Sequence, residues 1–275
     1  MSGGSSAGPA RHRVVFPVRV YEAGPDGRAT LPGVANWLQQ AAAEHAEALG
    51  LGLARMLEAG LFWVMARQYI EIAELPPAED RVTVETWPQS VQRGAFRRRY
   101  RVTGADGRGL AAALALETVF DSATRAAVPA PDWMAARVTV DGDDPLDFPG
   151  RTVPALKEAT REVEVLSRHA DLDANGHVNN AHLIAWLLEP LAPSGGTRSG
   201  SLVSLDVVFR TEVAAGPLAP RARRRRGPGV RPRGGGLHRL KRRRRERAPG
   251  GARRRRSRLG ARSAIRRSGG RSSRG

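Results

Sequence analysis

Cysteine is absent from the 275 residues, which excludes a disulfide framework, a thiolate zinc site and a cysteine nucleophile together. Long apolar runs are missing too. Nowhere do 18 uninterrupted apolar residues occur, and the opening stretch MSGGSSAGPARHR is polar, so we expect a soluble, cytoplasmic protein that makes no use of a membrane. Acidic residues are scarce only at one end. Residues 221–275 hold 24 Arg and Lys against the single acid Glu246, whereas the preceding part holds 21 basic and 26 acidic residues. The net charge of +18 therefore belongs to a tail, and the body is mildly acidic.

That tail also lacks the means to fold. Apart from alanines, its apolar residues from 221 onward are Val230, Leu237, Leu240, Leu259 and Ile265, too few to offset the entropy of ordering it, and we expect it to be disordered. As an arginine-rich arm it could bind nucleic acid through phosphate contacts, but no aromatic residue interleaves to stack on bases. We favour a plainer origin, since a mixture of Arg, Gly, Pro and Ser is what a shifted reading frame in GC-rich coding sequence yields. Nucleic acid is then no partner of the body.

What is present before the tail is well patterned, and 41% hydrophobic residues can supply a sizeable core. Residues 1–11 are Gly/Ser-rich and expected to be disordered, and Val14 to Tyr21 reads as a strand. From Leu31 to Leu49 the residues Val34, Leu38, Ala41, Ala42, His45 and Leu49 recur at helical spacing, with Pro32 at the start and Gly50 just past the end. Strand-like runs follow at about 61–73, 81–90, 94–104 and 109–121, separated by turn signals such as PPAED and GADGRG. Strand, central helix and long antiparallel strands suit a sheet wrapped around one buried helix, as in the hotdog fold.

Residues 129–160 are rich in Pro and Asp and read as a connector. Beyond it the same order recurs: REVEVLSR (161–168) alternates like a strand, NNAHLIAWLLE (179–189) reads as a helix, and SLVSLDVVFRTEV (201–213) reads as a strand. The halves share a pattern without close identity. We therefore predict an α+β, tandem hotdog architecture: a disordered start (1–11), an N-terminal unit (12–135), a linker (136–160), an incomplete C-terminal unit (161–220) and the tail (221–275).

The chemistry concentrates in DLDANGHVNN, residues 171–180. Asp173, Asn175 and His177 alternate at spacing two, and an extended segment would point them to one side. Asn179 or Asn180 would cap the following helix, whose N-terminus offers free backbone N–H groups to an oxyanion. Taken alone, such a string is also an ordinary polar turn.

Together with its neighbours it is more specific. Asp173, Asn175, His177, Val178, Asn179 and Asn180, leading into Ile184, Trp186, Leu188 and Glu189, resemble the D-x-N-x-H-V-N-N segment and helix of the acyl-acyl-carrier-protein thioesterases. FWVMARQYIEI (62–72), VTVETWP (82–88) and FDSATR (120–125) look like the family's successive strand signatures, so the resemblance spans about residues 12 to 216.

The resemblance implies a hydrolase that releases fatty acid from acyl carrier protein, with water as nucleophile and no metal or organic cofactor. It implies that the first unit holds the acyl chain and that Asp173, Asn175, His177 and Glu212 form the site. Glu212 would be the general base, oriented with His177 and tuned by burial. Asp173 would orient the cluster, and Asn175 would fix the thioester or the water. Some relatives carry a cysteine beside the glutamate, where this chain has Val213. After Gly216 the family continues with strands, whereas here the basic tail begins, which would leave Glu212 poorly supported. Acyl-CoA hydrolysis and a silent acyl-binding module are the alternatives, and pairing of hotdog sheets makes a homodimer conceivable.

Three other groups have a plainer reading. His45, on the apolar face of the first helix, is expected to be a satisfied core histidine. Trp37, Trp63 and Trp87 read as core. Arg97, Arg98, Arg99 and Arg101 read as a solvated strand face, with docking of the acidic carrier protein as the alternative.

Overall fold

In the computed structural model of the chain, the described residues are 8–92, 94–142, 146–154, 158, 162–191 and 202–214, together with the backbone of 262–267. Strand β1 (His12–Pro17) leads through a 3-10 turn (Val20–Glu22) into helices α1 (Leu31–Ala48) and α2 (Leu53–Glu58). Four long strands follow: β2 (Leu61–Ile72), β3 (Arg81–Gln92), β4 (Ala95–Gly104) and β5 (Gly109–Asp121). Short β6 (Ala127–Val128) and α3 (Asp132–Ala135) close the first unit, and α4 (Asn180–Leu188), β7 (Leu202–Val208) and β8 (Arg262–Arg267) make the second. The hotdog expectation holds: an antiparallel sheet in the order β1-β3-β4-β5-β2 wraps α1, and β7 and β8 extend it beyond β2.

Helix α1 forms where its signals place it. Thr30 Oγ1 accepts from Gly33 N at 3.2 Å, and the chain leaves the helix through Gly50 in the left-handed region at φ 66°. Its apolar stripe of Val34, Trp37, Leu38, Ala41 and Ala42 packs on Ile70, Val84, Tyr100 and Ala113 of the sheet. Each fully buried side chain of Leu or Val size contributes roughly 1.5–3 kcal/mol. A second apolar cluster, around Met56, Leu61, Phe96, Val119 and Met134, lies at the C-terminal end of α1.

Between these clusters runs a buried polar layer. His45 is fully buried; its Nε2 donates to Pro9 O at 2.8 Å and its Nδ1 accepts from Arg98 at 2.9 Å. Arg98 also reaches Glu117 at 3.3 Å. His45 is thus the satisfied core histidine that was expected, and burial pushes its pKa down to about 4. Trp37 and Trp87 are buried in the core, and Trp63 packs partly buried against the second cluster.

The arginine run on β4 matches neither expectation, because Arg98 and Arg99 are both buried. Arg98 faces α1, while Arg99 faces the other side and donates to Ala113 O at 3.1 Å. The connector explains the rest. It crosses the outer face of the sheet, where Asp147 pairs with Arg97 and Phe148 lies under Arg67, 4.2 Å from ring centroid to guanidinium carbon.

The second unit is thinner than the first. Ala181 and Ile184 of α4 pack with Leu31 and Ala35 of α1 and with Leu205 and Val207 of β7, but only these two residues of α4 are buried. Among the described residues, β7 and β8 are the only strands of this unit. The strand expected at 161–168 is absent over the described residues 162–168, where the alternation is present but only Ser167 makes a β-bridge. The strand expected at 201–213 ends at Val208. Of the tail, residues 262–267 pair with β7 as a strand, which departs from the expected disorder; the rest of 221–275 lies outside the described residues. The expected disordered start falls mostly outside them as well.

Candidate active site

The site is built on a local motif that the chain uses twice. Arg19, Glu22, Gly27 and Thr30 in the first unit recur at one constant offset as Arg168, Asp171, Gly176 and Asn179 in the second. Each acid accepts from the backbone N–H of its arginine, at 2.9 Å for Glu22 and 2.7 Å for Asp171. Each glycine has positive φ, 72° and 76°, and closes a tight turn by donating to Gly24 O or Asp173 O. Each cap residue sends its own N–H back to the acid's carbonyl, at 2.8 and 2.9 Å, and starts a helix. The repeat is hard to see in the sequence because only two positions of twelve, Arg19/Arg168 and Gly27/Gly176, keep the same residue.

The motif decides how the candidate residues lie. Asp173 N donates to His177 O at 2.7 Å, so 173–177 is a hairpin turn and not the extended segment that spacing two suggested. Asp173 Oδ1 accepts from the backbone N–H groups of Asn175 at 2.8 Å and His177 at 3.3 Å. Asn175 sits exposed at the turn tip. The three side chains therefore do not converge: Asp173 braces the turn, Asn175 faces solvent, and His177 points toward Glu212.

His177 and Glu212 do meet. His177 Nε2 lies 3.3 Å from Glu212 Oε2. Glu212 stands just after β7 in an irregular stretch held by Val178 N donating to Val213 O at 2.7 Å and Ser167 Oγ donating to Ala214 O at 3.2 Å. These bonds supply the support that the sequence reading expected to be missing. The Glu212 side chain is 39% exposed, so the burial expected to tune it is not present.

A third residue joins them that sequence reasoning passed over. Arg125 Nη2 donates to Glu212 Oε2 and lies 3.0 Å from His177 Nε2. Arg125 comes from the first unit, at the turn between β5 and β6, and its φ of 56° is left-handed. Asp121 makes this turn: its Oδ1 accepts from Ala123 N, Thr124 N and Thr124 Oγ1, and its O accepts from Arg125 N at 2.9 Å. The Thr124 bonds hold the Asp121 carboxyl below the usual carboxylate range. The guanidinium stacks on Phe62 at 4.6 Å, which orients it. The signal was the turn signature FDSATR, whose arginine is placed by chain segments far apart in sequence.

The helix terminus is not the open anion site that was expected. Asn179 Oδ1 accepts from Ala181 N at 2.8 Å, and Asn179 O takes the N–H groups of His182 and Leu183. Among the described residues no three His, Asp or Glu side chains gather as a metal ion would require.

A sheet wrapped around a helix, a repeated turn-and-cap motif and a His–Glu pair in the second copy define a hotdog protein with a candidate hydrolytic centre. The comparisons give the family. Residues 9–137 match the acyl-ACP thioesterase N-terminal domain and residues 155–218 its C-terminal domain, and the chain belongs to the acyl-ACP thioesterase family. It is 30% identical over 210 residues to a chloroplastic acyl-[acyl-carrier-protein] hydrolase of Cuphea viscosissima, covering 72% of this chain and 51% of that one. It is 32% identical over 214 residues to the chloroplastic oleoyl-acyl carrier protein thioesterase of Coriandrum sativum, covering 72% and 58%. The chain thus spans about half the length of the curated relatives it matches. Among solved structures it is similar to the 12:0-ACP thioesterase of Umbellularia californica, with TM-score 0.64, 26% identity and coverage of 76% of this chain and 85% of that one. An acyl-ACP thioesterase of Bacteroides thetaiotaomicron shares the fold at TM-score 0.67 and 24% identity, with 75% and 84% covered.

Proposed function

We propose that the protein hydrolyses the thioester of fatty acyl chains carried on acyl carrier protein and releases free fatty acid, as a step of fatty acid biosynthesis. The observation that carries this reading is the contact of His177 with Glu212 at 3.3 Å, made by the two segments that the family motif pairs. Glu212 takes the proton of the attacking water, and His177 orients it. Asp173 holds the turn that aims His177. Asn175, whose amide has no protein partner among the described residues, is available to the thioester. The relatives named for acyl carrier protein substrates support that carrier, and the reaction calls for no metal or organic cofactor. A cytoplasmic location and a homodimer complete the proposal.

The test measures fatty acid release by the full chain from acyl carrier protein and, in parallel, from acyl-CoA of the same chain length. Release from the carrier protein is expected, with a loss of about 10²-fold or more in Glu212→Ala and Asp173→Ala. Preference for acyl-CoA would replace the substrate. The thin second unit, with two buried residues on α4, favours a second reading as an acyl-binding module. Acyl ligand binding without release from either carrier would establish that reading and overturn the first.

A further inference from the structure

The proposed reaction places a negative charge on the thioester oxygen, and the backbone around the site has little left to receive it. His177 N donates to Asp173 Oδ1, Val178 N to Val213 O and Asn179 N to Asp171 O. Ala181 N, His182 N and Leu183 N are all taken by Asn179. From His177 to Leu183, among the described residues, only the N–H of Asn180 has no recorded acceptor. One amide is half of what an oxyanion hole ordinarily provides.

Arg125 has what the backbone lacks. Only Nη2 is engaged, by Glu212 and His177; among the described residues Nη1 and Nε donate to no protein acceptor. The side chain is 42% exposed, so the unused edge of the fork is open to a ligand. Stacking on Phe62 and the Asp121 turn hold the plane of the guanidinium in place. Among the described residues both contacts to Glu212 fall on Oε2, which leaves Oε1 for a water molecule.

We propose that Arg125 is a further catalytic residue, contributed by the first unit, whose Nη1 and Nε groups hold the charge that develops on the thioester carbonyl oxygen. The inference rests on the hydrolase reading above. In this scheme water attacks the carbonyl carbon while Glu212 Oε1 accepts its proton, forming the new C–O bond. The carbonyl electron pair moves onto the oxygen beside Arg125. Collapse of the intermediate breaks the C–S bond, and the departing thiolate takes the proton from Glu212. The products are a free carboxylic acid and the carrier's thiol, so atoms and charge balance with water as the only co-reactant. The site then spans both units, and the second alone would be deficient in charge stabilisation.

The test uses the full chain with acyl carrier protein bearing one acyl group, in wild type, Arg125→Gln and Arg125→Ala. Arg125→Gln is expected to lower kcat by about 10²–10³-fold, as loss of an oxyanion donor does, with KM changed less than about threefold. Guanidinium ion in the low millimolar range is expected to restore part of the Arg125→Ala rate while the melting temperature stays constant, a response that a merely structural bridge would not give. Wild-type turnover with kcat unchanged in Arg125→Gln overturns this inference and leaves the hydrolase reading standing. So does a loss confined to KM, or one that follows the melting temperature without rescue. A wild type silent on both carriers overturns the hydrolase reading and this inference with it.

Discussion

At the scale of single residues, the turn that carries His177 depends on Gly176. Its φ of 76° is a conformation an L side chain adopts at a cost, while no atom lies within 4 Å of where a Cβ would stand. Gly176→Ala is therefore expected to cost about 1 kcal/mol through backbone strain alone, read as a drop in denaturant midpoint. Since the same turn aims His177, the rate should fall by more than the stability change accounts for. Asp171 is a partner in this local order: the Arg168 guanidinium donates to it and holds its carboxyl below the usual carboxylate range. Asn175 marks the limit of reading single residues. Its identity was legible as a motif position, but its exposure at the turn tip followed from the hairpin bond between Asp173 and His177.

At the scale of elements, α1 and the four long strands were legible almost to their ends, because the period of the apolar residues matches burial on one face. Residues 161–168 have an equally regular alternation, yet over the described residues 162–168 they form no strand and only Ser167 makes a β-bridge, because alternation marks a face and does not decide pairing. The buried layer between α1 and the sheet makes a testable consequence of packing. His45 is neutral in the fold with its pKa pushed down to about 4, chiefly by burial and also by the charge of Arg98. It faces Arg98 and the stacked His12, which in turn lies 3.5 Å from Glu44. The unfolded chain binds a proton at His45 near pH 6.5 and the folded chain does not, so its contribution is complete above that pH and is lost as pH falls toward 4. The loss is on the order of 3 kcal/mol at 1.36 kcal/mol per unit. Melting temperatures from pH 7 to pH 4 should fall more steeply for wild type than for His45→Gln.

At the scale of the whole molecule, the two units are joined through the sheet at β2 and β7. Tyr69 stands opposite Asp206 and Ile70 opposite Leu205. Arg67 clamps this seam, reaching both Asp206 oxygens at 2.8 and 2.6 Å and the connector's Gly150 O at 2.8 Å, with both side chains buried. Asp206→Ala would leave a buried guanidinium without its counter-charge and is expected to cost about 3–5 kcal/mol by denaturant unfolding. The double replacement Arg67→Met with Asp206→Leu should recover much of that loss, because it removes the charge along with its partner. Loosening of this seam would also separate Arg125 from Glu212, so activity in Asp206→Ala should fall further than in a surface substitution of equal charge.

By itself the sequence determined helices α1 and α4, the four long strands, the family and the positions of Asp173, Asn175, His177 and Glu212. Each of these is written in short-range terms: a period of side chains, a capping residue, a turn glycine, a motif read in order. Tertiary structure alone decided which of the candidates touch. Glu212 and His177 meet because Val178 pairs with Val213, Arg125 reaches them from the other unit, and Arg98 and Arg99 of β4 are buried on opposite faces of the sheet. Contacts of that kind depend on the register and packing of segments distant in the chain, and no local pattern of residues encodes them.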